Sequence, residues 1–176
     1  MTTTKKAILI IAFNGFQDTE YSVTKSVLEQ AGISTITASS SLGTATGKFG
    51  LKVEVENLIS DVNPNDYEAV VLIGGPGAEE YLNNKTIQQL IIQANQQNKV
   101  LAAICLAPAI LAQTGVLSGK QATVWSSAAD KSLIDILTSH GAKYVDQGVV
   151  VDGRIITANG PDAAQQFAAA IINQLK

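Results

Sequence analysis

The chain has 176 residues, 46% apolar and 15% charged, the length and composition of one ordinary globular domain. No window approaches the ~18 consecutive apolar residues of a membrane span, which argues against a membrane partner. A net charge of −3 without a basic run argues equally against a nucleic-acid partner, because such proteins need clustered Lys and Arg to displace counterions.

Met1 to Lys6 is polar and basic and runs into the apolar stretch Ala7 to Phe13 without a small-residue cleavage site, so it predicts a first strand and not a secretory signal. One cysteine cannot form an internal disulfide, and a lone thiol suits a reducing, cytoplasmic setting. The segments Lys6-Phe13, Ile33-Ala38, Ala69-Ile73 and Val100-Ile104 are aliphatic with little polar alternation, the pattern of strands buried on both faces. Helical spacing lies between them. Glu20 to Ala31 places Val23, Val27, Leu28 and Ala31 on one face before the stop Gly32, and Asn84 to Asn98 does so with Ile87, Leu90, Ile91 and Ala94.

Ser39 to Gly50 reads as a loop, and Val53 to Ile59 stays ambiguous between an edge strand and a turn. Beyond Cys105, a helix is expected over Pro108 to Thr114 with Gly115 as its end, then a short strand over Ala122 to Trp125 and a helix over Ser132 to Ser139. Lys143-Val145, Val149-Val151 and Arg154-Ala158 are β-rich, with Asp152-Gly153 as a hairpin turn, and a last helix starts at Pro161. Alternating strands and helices with short connections predict one α/β domain spanning 1–176, a three-layer αβα sandwich around a mostly parallel sheet.

Three features sit where such a sheet exposes its carboxyl edge. Cys105 follows the buried strand Val100-Ile104 and precedes a helix carrying Pro108, with small Ala103 and Ala107 two residues to either side, the spacing of a nucleophile elbow. A thiol at a helix N-terminus faces unpaired N–H groups that favour thiolate, so a depressed thiol pKa is expected. The competing reading, a small buried apolar side chain, is outweighed by the elbow. Gly74-Gly75-Pro76-Gly77 follows the strand Ala69-Ile73; its backbone N–H groups either hold an oxyanion together with that of Leu106 or merely close a tight turn. Glu20 follows the first strand and is either a helix-capping carboxylate or, if it faces Cys105, a proton partner with a raised pKa. His140, before Gly141 at a helix end, is read as a structural cap, and Trp125 as core or rim packing. Too few ligands of the right kind are present for a metal such as zinc.

Glu20, Gly74-Gly75-Pro76-Gly77, Ala103-Ile104-Cys105-Leu106-Ala107-Pro108 and the closing Thr157-Ala158-Asn159-Gly160-Pro161, in this order, resemble the ThiJ/PfpI superfamily. The resemblance implies a flavodoxin-like sandwich, a homodimer or higher homo-oligomer, a Cys105 nucleophile paired with Glu20, and an oxyanion hole from Gly75 and Leu106. It also implies cofactor-free glyoxalase or deglycase chemistry on a small aldehyde such as methylglyoxal, an oxidation-sensing or chaperone-like stress role, or peptidase activity. Two departures bear on that choice: the histidine that follows the cysteine in peptidase-like members is here Leu106, and Thr123-Val124-Trp125-Ser126 lacks the histidine of another branch. Peptide hydrolysis needs an imidazole to protonate the leaving amine, so aldehyde chemistry is the leading expectation and a redox sensor the alternative.

Overall fold

The computed structural model describes residues 4–176; the start of the polar lead-in read at Met1 to Lys6 lies outside them. In chain order its elements are β1 (Lys6–Ile10), β2 (Asn14–Phe16), α1 (Asp18–Gln30), β3 (Ser34–Ser39), β4 (Gly43–Gly47), β5 (Lys52–Val55), β6 (Asn57–Leu58) and β7 (Ala69–Leu72). There follow α2 (Lys85–Gln96), β8 (Val100–Ile104), α3 (Ala107–Gln113), β9 (Gln121–Ala122), α4 (Ser132–Ser139), β10 (Lys143–Tyr144), β11 (Val149–Asp152), β12 (Ile155–Ala158) and α5 (Ala164–Leu175).

The aliphatic runs become the inner strands of a seven-stranded sheet, ordered β11-β12-β8-β7-β1-β3-β6. Every neighbouring pair is parallel except β11 with β12, the hairpin that Asp152-Gly153 closes with Gly153 at φ +62°. Helices α1 and α5 pack on each other and on the sheet, whereas α2 and α3 meet each other against β8, with α4 on α3. Residues 7–10 of β1 and all of β7 and β8 are buried, as strands covered on both faces must be.

Helix α1 begins at Asp18, two residues before the expected start, because the Gln17 side chain accepts the Glu20 N–H at 2.9 Å and caps it. Its buried face is Glu20, Tyr21, Thr24 and Leu28, so the helix is turned from the expected stripe and Ala31 is exposed. The rotation carries Glu20 inward. The segment read as a loop contains β4, which pairs antiparallel with β5; with β2 they form a separate three-stranded sheet. The Gly-Thr-Ala-Thr-Gly sequence conceals β4, since little apolar surface marks its buried side. The Val53–Ile59 ambiguity resolves into the end of β5, the two-residue edge strand β6 and a 3-10 turn starting at Ile59. The strand expected over Ala122–Trp125 stops at Ala122; Thr123 and Trp125 instead donate their N–H groups to Thr157 Oγ1 and the Cys105 carbonyl.

Candidate active site

Strand β8 delivers Cys105 to the carboxyl edge of the sheet, and α3 leaves it at once. The turn between them forces Cys105 to φ +65°, a left-handed conformation that costs a non-glycine residue roughly 1–2 kcal/mol. The fold pins it there: Cys105 N–H donates to the Ala158 carbonyl at 2.9 Å, and Trp125 N–H donates to the Cys105 carbonyl at 2.9 Å. The expected elbow is thus present in the backbone.

The glycine loop is shaped by two neighbours. A Cβ on Gly74 would stand 2.5 Å from Cys105 Cβ and 2.9 Å from Glu20 Oε2, so its hydrogen is what lets thiol and carboxyl approach one point. Gly75, at φ +106°, and Gly77 press against the Asn14–Gln17 segment, where a Cβ on Gly77 would overlap the Asn14 carbonyl oxygen. Close approach to the protein's own chain therefore explains Gly77. Backbone N–H groups of Gly75 and Leu106 are directed at the Cys105 thiol, the two donors expected for an oxyanion.

Glu20 is fully buried and Cys105 only partly so. Gly74 N–H donates to Glu20 Oε2 at 3.0 Å, while Oε1 makes no regular hydrogen bond among the described residues. The side chain beside the carboxyl, close enough to shift its acidity, is the Cys105 thiol. Burial pushes the Glu20 carboxyl up to about 7, against the opposing pull of the thiol and the Gly74 N–H. The depressed thiol pKa expected from the helix end is not found. Burial first and the Glu20 charge second push Cys105 up to about 12, outweighing the N–H groups of Gly75 in the glycine loop and of Leu106 at the start of a seven-residue helix. The two groups titrate as a pair, and between these values they share one proton.

The thiol opens into a cavity of about 490 Å³. Gln17, Lys48, Phe49, Trp125, Leu133 and Pro161 are among its lining residues. Lys48 and Phe49 were hidden in the presumed loop, although an aromatic residue between Gly47 and Gly50 was the available signal. Trp125, read as core or rim packing, is 37% exposed and lines this cavity. A wider groove of about 700 Å³ lies over α1 and β5 but contains neither Cys105 nor Glu20. His140 caps α4, its Nδ1 lying 2.8 Å from the Ile136 carbonyl, and does not join the site. Among the described residues, no three His, Cys, Asp or Glu side chains cluster as a metal site would require, and no helix is long and apolar enough to cross a membrane.

The sequence profile of the DJ-1/PfpI family matches residues 5–174. The chain belongs to the DJ-1/PfpI family. An uncharacterized protein of Methanocaldococcus jannaschii is 41% identical over 97% of this chain and 82% of its own length. A Pyrococcus furiosus family member named deglycase PfpI is 30% identical over 96% of this chain and 99% of its own. The crystal structure of a ThiJ/PfpI domain protein from Brachyspira murdochii superimposes with a TM-score of 0.91 at 30% identity, covering 99% of this chain and 98% of that one. The flavodoxin-like sandwich implied by the sequence resemblance is thereby established for this member.

Proposed function

We propose that the protein is a cofactor-free enzyme that converts small α-oxoaldehydes to hydroxy acids through Cys105 and Glu20. The observation that carries this reading is a buried carboxyl near neutral pKa beside an accessible thiol, with no imidazole in the site. The deglycase name of the Pyrococcus furiosus relative supports the same substrate class.

In the singly protonated pair, sulfur attacks the aldehyde carbon as the proton settles on Glu20. The carbonyl π electrons move to oxygen, where the Gly75 and Leu106 N–H groups hold the developing oxyanion, which then takes up a proton to give the hemithioacetal. Glu20, once more ionised, takes the C1 hydrogen as a proton. The electron pair reduces C2 while C1 is oxidised, leaving a hydroxyacyl thioester after reprotonation. Water cleaves the thioester to the hydroxy acid and free thiol, so no external oxidant or reductant is needed. No amine leaves at any step, which fits a site without histidine.

The test is production of lactate from methylglyoxal by the purified protein, with turnover lost in Cys105→Ser. Absent turnover together with ready peroxide oxidation of Cys105 to a sulfenic or sulfinic acid would overturn the enzyme in favour of the sensor. Assembly as a cytoplasmic homodimer or larger homo-oligomer is proposed from family resemblance; a monomer in light scattering at micromolar concentration would overturn the assembly.

A further inference from the structure

An aldehyde as small as methylglyoxal, three carbons and two oxygens, leaves most of the Cys105 cavity unfilled. Its volume of about 490 Å³ falls within the ~300–1,000 Å³ of pockets that hold much larger ligands. Two aromatic side chains bound this space, and both are presented outward: Phe49 is 71% exposed and Trp125 37%.

Phe49 is not a loose loop residue. Asp18 at the start of α1 accepts the Phe49 N–H at 2.9 Å and the Leu51 N–H at 2.8 Å. Lys48 N–H donates to the Phe16 carbonyl at 2.7 Å, Gly47 N–H to that of Leu51 at 2.8 Å, and Gly50 N–H to that of Gly47 at 3.0 Å. Gly47 is required because a Cβ there would stand 2.5 Å from Asp18 Oδ2. Five hydrogen bonds thus hold residues 47–51, whose one aromatic ring is largely exposed with Lys48 Nζ 5.3 Å from its centroid. The backbone beneath Phe49 is held in place, so its ring can face a ligand in the cavity at little ordering cost. Trp125 is fixed from the other side, through its N–H on the Cys105 carbonyl. Leu133 and Pro161 complete an apolar lining beyond the thiol.

We propose that the Cys105 cavity is built for α-oxoaldehydes whose ketone carbon bears a bulky apolar or aryl group, with Phe49 as the discriminating wall and Asp18 as the residue that positions it. This rests on the aldehyde reading of the site. It adds the part of the substrate that the reacting atoms do not specify.

The experiment compares phenylglyoxal with methylglyoxal in two ways: by kcat/KM, and by protection of Cys105 from iodoacetamide. Each protection constant is divided by that aldehyde's hemithioacetal constant with N-acetylcysteine, which removes intrinsic reactivity. Arg154, the single arginine and a site of phenylglyoxal attack, is exposed at the opposite edge of the sheet, and the comparison is made in an Arg154→Lys background.

Phenylglyoxal should protect at about tenfold or lower normalised concentration, the discrimination expected for a buried ring against a methyl. Phe49→Ala should bring that ratio to within about threefold of one, Asp18→Ala should reduce it with Phe49 still present, and Phe49→Leu should retain most of it. A ratio near one in the unaltered protein, or one unmoved by Phe49→Ala, overturns the inference. Methylglyoxal turnover without selectivity leaves the proposed function standing and sinks only the inference. Selective protection without turnover of either aldehyde does the reverse, and protection by neither sinks both.

Discussion

Glu20 is the residue on which acidity, stability and catalysis meet. The reactive form of the pair holds one proton, and it forms as pH rises through the Glu20 value of about 7, so aldehyde turnover should climb on a single acidic limb near that pH. Below it both groups are protonated and sulfur has no base. In Glu20→Gln the limb should vanish and kcat/KM should fall by ~10²- to 10⁴-fold, the usual worth of a positioned acid-base group. A pH profile of Cys105 alkylation checks this directly; an unchanged limb in the variant would remove Glu20 from the mechanism. The same shift acts on folding. A carboxyl at about 7 when folded and 4.5 when free keeps an extra proton in the folded state between those values, so stability falls as pH rises across that window. At pH 8 the penalty is about 3 kcal/mol, and Glu20→Gln should recover a comparable amount in urea unfolding, with the gain gone below pH 4. Both residues were legible because each follows a strand at the same sheet edge. The direction of the thiol shift was not, because burial depends on the assembled layers and a seven-residue helix is a weak counterweight.

At the scale of elements, the site is a strained turn held by its neighbours. Cys105 keeps φ +65° although a side chain resists it, so relief of that strain can be separated from loss of the thiol. Cys105→Ala and Cys105→Gly both lack sulfur, but only glycine adopts this conformation freely. Cys105→Gly should therefore unfold at higher denaturant than Cys105→Ala, by about 1 kcal/mol, the reverse of the order at an ordinary buried position. Equal midpoints would mean that the turn is not strained. Gly74→Ala tests the neighbouring loop. With its Cβ 2.5 Å from Cys105 Cβ and 2.9 Å from Glu20 Oε2, it must push the two groups apart, and it should cost activity even in protein that remains folded by circular dichroism. The elbow was readable from Ala103 and Ala107 around Cys105, since crowding at the turn admits only small side chains there. The wall carrying Phe49 was not, because Gly43–Gly47 has too few apolar residues to show a strand's alternation, and its partner β5 lies across the chain reversal at Gly50.

Across the whole molecule the candidate site joins elements of the large and the small sheet. Cys105 and the glycine loop follow β8 and β7, adjacent strands at the centre of the seven-stranded sheet, and Glu20 reaches them from the first turn of α1. Phe49 instead belongs to the small sheet of β2, β4 and β5, where Thr44, Lys52 and Glu54 are exposed and burial alternates. Opening that sheet uncovers only its inner side, Phe16, Ala45, Val53 and Val55, whereas β8 is buried at every residue and lies in the middle of the core. Amide hydrogen exchange should reflect this: Leu101 and Ala102 should exchange only through global unfolding, and the paired amides of β4 and β5 at least ~10²-fold faster, through local opening. The Asp18 carboxylate is what ties the Phe49 turn of this small sheet to α1. Saturation with phenylglyoxal should then slow exchange at the Phe49 and Leu51 amides more than at Leu101. Equal protection of β4 and β8 in the free protein would instead mean that the small sheet opens only with the whole fold.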